Sequence, residues 1–147
     1  MRVLALDFGQ SMGVAQSVAG RISYETVRLD KLNRKRSKFR NYYEWLACRL
    51  AEYDLLLVEE VRNHAGVLAA HQWGYWYYTA CVLCDAMSVE IVTMPVKTIK
   101  KSFTGNGNAG KDLILARCKE LNYSPDSYDS ADALAMLLVY FSSHVVN

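Results

Sequence analysis

Two stretches of the chain are apolar without interruption and then end on an acid: Val3-Leu4-Ala5-Leu6 leads into Asp7, and Leu55-Leu56-Leu57-Val58 leads into Glu59. Runs of that length and branched composition predict strands buried on both faces, over residues 2 to 7 and 54 to 59. Arg21 to Leu29 instead alternates polar and apolar positions, the period of a half-exposed antiparallel strand. Between the first and this third strand, Gly9-Gln10-Ser11-Met12-Gly13 predicts a turn and Val14 to Val18 a second strand, so the first three form a meander. Val89 to Thr93, stopped by Pro95, predicts a fifth strand.

The remaining segments carry helical spacing. Residues 34 to 52 place Phe39, Tyr42, Tyr43, Leu46 and Leu50 on one face, with Arg34, Lys35, Arg36, Lys38 and Arg40 clustered ahead of them. A run of this kind suits a solvated surface, although a nucleic-acid backbone would use the same charges. From about Gly66 to Ala86 a long helix crowds Trp73, Tyr75, Trp76, Tyr77 and Tyr78 together. Core packing accounts for most of these rings, and an excess on several sides suggests a self-association surface. A short basic helix over 96 to 102, a loop at Gly105-Asn106-Gly107-Asn108, a helix from Lys111 to Leu121, a turn at Ser124-Pro125-Asp126 and a last helix from about Tyr128 to Ser142 complete the chain. Three antiparallel strands, then helix, strand, helix, strand and helices, make an α/β protein with the element order of the ribonuclease H-like fold: a five-stranded mixed sheet flanked by helices. Periodicity alone leaves other α/β sheets open.

At 147 residues, 52% of them apolar, the chain suits one domain spanning 1–147. A net charge of +2 permits nucleic acid without demanding it. Of the four cysteines only Cys81 and Cys84 are close in sequence, and no second Cys/His pair follows at zinc-finger spacing, so packing thiols in a reduced, intracellular protein are expected. No apolar stretch reaches the roughly 20 residues that a membrane-spanning helix needs, and Met1-Arg2 runs straight into a strand without a leader. A cytoplasmic protein is the corresponding expectation.

The candidate chemistry lies in four acids. Asp7 and Glu59 would each sit at the carboxyl end of a buried strand, where open α/β sheets place their sites. Asp129 and Asp132 share one face of the last helix's first turn. Carboxylates in apolar surroundings are costly unless cations or donors balance them. Oxygen donors suit Mg²⁺ or Mn²⁺, and two such ions roughly 4 Å apart stabilise both oxygens of an in-line phosphoryl displacement. The constellation points to a divalent-metal nuclease.

Several motifs carry a family resemblance over nearly the whole chain. Asp7-Phe8-Gly9 with Gly13-Val14-Ala15, Leu57-Val58-Glu59-Glu60, the Lys100 to Lys111 segment, and Asp129-Ser130-Ala131-Asp132-Ala133-Leu134-Ala135 together resemble the RuvC family of Holliday junction resolvases, particularly its shorter phage-encoded branch. The opening motif alone is weak, being shared with YqgF-type nucleases and actin-like ATPases. The closing motif joined to the glycine and lysine segment is strong.

The resemblance implies that Asp7, Glu59, Asp129 and Asp132 form a metal-binding catalytic tetrad holding Mg²⁺ or Mn²⁺, two ions per site. Water would be the attacking nucleophile, and nicks would carry 5′-phosphate and 3′-hydroxyl ends. It further implies that Lys111 acts in catalysis and on DNA, with Lys100, Lys97, Lys101 and Arg62 as further DNA contacts. The expected partners are branched DNA, meaning four-way junctions and also forks or flaps, and a second copy in a two-fold dimer, inside the cytoplasm of a bacterial host.

Glu59 is preferred to Glu60 because it is the first polar residue after the apolar run and only one of two successive strand residues can face the site. Where many bacterial resolvases carry an aromatic wedge, Val61-Arg62-Asn63-His64 follows here, which puts sequence preference in doubt. His64 is more readily an exposed loop residue than a DNA contact, and His71 more so. Three other readings compete: an actin-like ATPase, for whose second domain 147 residues leave no room; a YqgF-like or ribonuclease H-like RNA nuclease; and a non-catalytic junction-binding protein.

Overall fold

The computed structural model, which describes residues 1–144, contains five strands: β1 (Val3–Asp7), β2 (Ser11–Val18), β3 (Arg21–Arg28), β4 (Leu55–Glu60) and β5 (Glu90–Pro95). They form one sheet in the order β3-β2-β1-β4-β5, with β1, β2 and β3 antiparallel and β1, β4 and β5 parallel. The two uninterrupted apolar runs are therefore adjacent in the middle of the sheet, as burial on both faces requires.

Strand parity divides their side chains. Val3, Ala5, Leu55 and Leu57 enter one core with Ile99, Phe103, Ile114 and Leu134, whereas Leu4, Leu6, Leu56 and Val58 enter a second core with Tyr42, Leu46, Trp76 and Leu83. Each fully buried leucine contributes about 1.5–3 kcal/mol by leaving water.

The helices are α1 (Leu29–Leu32), α2 (Lys38–Arg49, continuing into a 3₁₀ turn at Leu50–Glu52), α3 (Val67–Met87), α4 (Val96–Thr104), α5 (Lys111–Glu120) and α6 (Tyr128–His144). The second core lies against α2 and α3, and the first against α4, α5 and α6. Much of the crowded aromatic block is consumed here: Phe39 and Tyr42 of α2 meet Tyr75 and Trp76 of α3 at ring separations of 4.8–6.0 Å. Cys84 is buried and Cys81 half-buried on α3, and burial pushes the Cys84 thiol up to about 12. No helix among the described residues is long and apolar enough to cross a membrane.

Two boundaries differ from the sequence reading by three residues or more. The helix expected from residue 34 starts at Lys38, because Ser37 caps it by accepting from the Arg40 amide at 3.2 Å, leaving 33–37 as a loop after the short α1. β2 starts at Ser11, inside the expected turn, and Gly13 pairs with Asp7. The glycine there serves a close packing contact and not a turn.

Candidate active site

Parity along the two central strands aims the first two acids. Asp7 continues the series Val3, Ala5, and Glu59 continues Leu55, Leu57, so both point to the α6 side of the sheet. The parallel register ends with Leu6 and Val58, one residue before each acid, and among the neighbouring charges Glu59 acts most strongly on Asp7. Glu60 takes the opposite parity and accepts from Arg62 Nε at 3.1 Å.

The other two acids depend on how α6 begins. Ser127 and Ser130 cap reciprocally: the Ser130 amide donates to Ser127 Oγ at 3.0 Å, and the Ser127 amide to Ser130 Oγ at 3.3 Å. Ser130 Oγ also reaches Asp126 Oδ1 at 3.1 Å, and Thr26 of β3 shares a 2.5 Å hydroxyl contact with Ser127. The helix start is thereby fastened to the sheet, with Asp129 and Asp132 one turn apart on its inner face. Its backbone presses onto β2, where a Cβ added to Gly13 would lie 1.9 Å from the Asp129 carbonyl oxygen. Only a residue without a side chain allows that approach.

These acids repel one another in a poorly solvated place. Burial pushes the Asp7 carboxyl well above the usual carboxylate range, and Glu59, Asp132 and Asp129 push it further while Lys111 opposes them. Burial, then the Asp132 charge, brings Glu59 up to about 7 against the pull of Lys100. Asp132 rises to about 6, again chiefly through burial, with Lys111 the largest opposing influence.

Folding and proton binding are linked through these groups. The unfolded chain releases the Glu59 and Asp132 protons at the ordinary 4.5 and 3.8, whereas the folded chain holds them to about 7 and 6. Between those limits the folded state binds more protons, so stability without divalent ions falls as pH rises from about 4 to about 7. Thermal unfolding in EDTA from pH 5 to 8 is expected to show a falling Tm. Glu59→Gln should flatten the fall by up to about 3 kcal/mol at pH 8; an unchanged slope would show that Glu59 is not the strained group.

The basic residues line two adjoining clefts. A narrow one of about 190 Å³ is bordered by Glu59, Lys100, Lys111 and Asp132. A wider one of about 660 Å³ is bordered by Glu60, Arg62, Asn63, Lys97, Lys100 and Asn108, so Lys100 stands at the junction of both. Lys97 and Arg62 thus lie away from the acids. Lys101 is turned elsewhere, donating at 2.9 Å to the carbonyl of Gly105, which ends α4 in the left-handed region. His64 packs on Trp73 with ring centres 5.5 Å apart, and His71 is exposed on α3.

Among the described residues no group of three or more His, Cys, Asp or Glu side chains stands close enough to hold a metal ion as the side chains are placed. The donor chemistry nonetheless fits a hard divalent cation. The set is all carboxylate, and both Asp7 and Glu59 carry repulsion that a nearby positive charge would relieve. Sequence reasoning missed the parts that hold the set in place, namely the Ser127–Ser130 cap and the packing role of Gly13. The serine three residues before another at a helix start was the legible signal for the first.

No family model matches the chain. It is 26% identical to the crossover junction endodeoxyribonuclease RuvC of Trichlorobacter lovleyi, over 98% of this chain and 86% of that protein. Among solved structures, Thermus thermophilus RuvC in complex with a Holliday junction substrate superposes with a TM-score of 0.79 at 20% identity, covering 99% of this chain and 96% of the other. The yeast mitochondrial Holliday junction resolvase Ydc2 does so with a TM-score of 0.65 at 11% identity, covering 94% and 76%. The ribonuclease H-like arrangement expected from the order of elements is the fold of these proteins.

Proposed function

We infer that the chain is a RuvC-family Holliday junction resolvase, an endonuclease that hydrolyses phosphodiesters in four-way and related branched DNA inside the bacterial cytoplasm. The observation that carries this reading is that Glu59, Asp132 and Asp129 all act on the buried Asp7 from separate elements, with Glu59 and Asp132 sharing a narrow cleft with Lys100 and Lys111, in a chain aligned with a RuvC over nearly its whole length.

Asp7, Glu59, Asp129 and Asp132 would hold the divalent ions, Mg²⁺ or Mn²⁺ and two per site in our reading. When bound, such ions supply Lewis-acid stabilisation to the oxygens entering and leaving an in-line phosphoryl displacement. The chain's own contribution is position and charge. Strand ends fix Asp7 and Glu59, and the capped start of α6 fixes Asp129 and Asp132, so the donors sit on rigid elements. Lys111 and Lys100 border the same narrow cleft and offset the negative charge of a phosphate placed there. Hydrolysis adds water across the P–O3′ bond, leaving a 3′-hydroxyl and a 5′-phosphate. Lys97 and Arg62, on the wider cleft, suit contact with the DNA backbone beyond the cut.

Paired cuts on a two-fold symmetric junction require two related sites, and α3 offers a face for a second copy. Val67, Tyr78 and Val82 share one side of that helix, with Tyr78 65% and Val82 69% exposed. Tyr78→Glu with Val82→Glu is expected to convert a dimer into a folded monomer by light scattering, with paired cutting abolished. A variant that stays dimeric would place the interface elsewhere.

The reading is tested by incubating the protein and Mg²⁺ with labelled four-way junction, Y-fork, linear duplex and RNA–DNA hybrid. Preferred cutting of the junction supports it; cutting confined to the hybrid would assign the site to RNA.

A further inference from the structure

Five basic residues, Arg34, Lys35, Arg36, Lys38 and Arg40, lie at the entry to α2, and no acid occurs between Asp30 and Glu44. Glu44 bonds both Arg36 and Arg40, the latter at 3.1 Å, so one carboxylate serves two guanidiniums. Arg34 and Lys35 are exposed and have no ion-pair partner among the described residues. The placement opposes folding electrostatics as well. The first turn of α2 carries Lys38 and Arg40 and no acid, although a helix start favours negative charge.

This charge is held on a stiff frame. The buried Asn41 side chain donates to the Leu29 carbonyl at 2.7 Å and to the Asn33 carbonyl at 3.1 Å, fastening both ends of the segment before the loop. Asn33 Oδ1 accepts from the Lys35 amide at 3.0 Å, the Arg36 amide donates to the Asn33 carbonyl at 3.1 Å, and Ser37 caps the helix.

The frame is also tied to the acidic site. The Leu29 amide donates to the Gln10 carbonyl at 2.9 Å, and Lys38 Nζ reaches Gln10 Oε1 at 3.3 Å and Gln72 Oε1 of α3 at 3.0 Å. Gln10 follows Asp7 by three residues, at most about 10 Å of extended chain and comparable to about three base-pair rises of a duplex. Lys38 belongs to the α2–α3 side of the sheet, whereas Lys100 and Lys111 belong to the α4–α5 side. Positive charge therefore lies on both faces of the sheet, Lys100 and Lys111 on the face that the acids share and Lys38 on the other.

We propose that the loop 33–37 and the start of α2 form a second DNA-binding surface. It grips the phosphate backbone of the junction arm that leaves the acidic site on the side away from Lys100 and Lys111. The proposal rests on the resolvase reading and adds the path of a second arm. Arg34 and Lys35 make the contacts, and Lys38 connects the surface to the turn after Asp7.

The test compares wild type with Arg34→Ala/Lys35→Ala, neither residue being part of the acidic site. Junction binding is measured without divalent ions across a salt series, and single-turnover cutting is measured at saturating protein. With two fewer phosphates neutralised, the slope of log K against log salt should shrink by about 1.8, and Kd near 0.1 M salt should rise by about 10-fold or more. The cutting rate at saturation should stay within about two-fold. Trimming the adjoining arm of the junction to a few base pairs should abolish the difference between the two proteins. An unchanged Kd and slope, or an equal weakening on the trimmed junction, would overturn the proposal. If wild type itself fails to cut junctions, the resolvase reading falls; if it cuts them and the variant binds equally well, only this surface does.

Discussion

Asp7→Asn is expected to abolish junction cutting, by at least about 10³-fold, while leaving junction binding within a few-fold of wild type. That loss corresponds to about 4 kcal/mol of transition-state stabilisation, a reasonable share for a carboxylate with the metal-holding role proposed for Asp7. The same substitution should raise the Tm of the protein in EDTA at pH 8, because burial and three neighbouring acids all oppose ionisation of Asp7 in the folded state. Mg²⁺ should raise the Tm of wild type more than that of the variant. A more stable, inactive, binding-competent protein identifies a residue kept for chemistry at a cost to the fold. Loss of binding together with cutting, or a lower Tm, would show that Asp7 supports structure instead. The result also separates the resolvase reading from a non-catalytic junction binder, in which Asp7→Asn would change nothing measurable in cutting.

Gly13→Ala is the second large effect. A Cβ there would meet the Asp129 carbonyl oxygen at 1.9 Å and its carbonyl carbon at 2.4 Å, and both atoms are backbone. No side chain can rotate away, so the start of α6 must move or β2 must bend. Overpacking of this kind costs about 1–3 kcal/mol. The displacement carries Asp129 and Asp132 with it, and if these are catalytic, as proposed, misplacing them by about 1 Å can cost about 100-fold in rate. Gly20→Ala is the control: Gly20 sits in the left-handed region at φ 76°, and a Cβ added there would meet nothing within 4 Å, so the substitution destabilises the β2–β3 turn without touching α6. Urea unfolding and single-turnover cutting of both variants should show destabilisation in each and loss of cutting in Gly13→Ala alone. Equal activity of the two would mean that the β2–α6 contact does not set the acids' positions.

The features legible in sequence are those with strong local patterning. The central strands β1 and β4 are readable because burial on both faces requires uninterrupted apolar residues, and the acids that end them are conspicuous for that reason. Strand parity puts Glu59 on the face of Leu55 and Leu57 and leaves Glu60 to Arg62. What escapes the sequence depends on contacts between distant segments. The stretch around Gly13 reads as a turn by composition, yet its glycine is required by a helix start more than a hundred residues later. α1 has only four residues and no periodicity to detect, and it forms where Leu29 bonds to Gln10 across the sheet edge. Proximity in sequence groups Lys101 with Lys97 and Lys100, but the left-handed Gly105 exposes a carbonyl that captures its ammonium. Side-chain direction within a basic helix is set by such local acceptors, which a charge pattern does not reveal.

The proposed metal chemistry suits DNA and RNA alike, so substrate choice must come from the surfaces around the acids. Here those surfaces are the cleft bordered by Lys97, Lys100 and Arg62 on one side and the fastened basic loop on the other. In the proposed reading a branched duplex, with arms diverging from the cut, engages both.

Whether the four acids form the catalytic centre of a resolvase is decided by mapping the cuts made in a four-way junction labelled in turn on each strand, with Mg²⁺ and with EDTA. A resolvase gives Mg²⁺-dependent nicks at symmetric positions on two opposed strands, with ligatable 5′-phosphate and 3′-hydroxyl ends, and none in EDTA. Unpaired nicks at scattered positions, or cutting that persists in EDTA, would contradict that assignment.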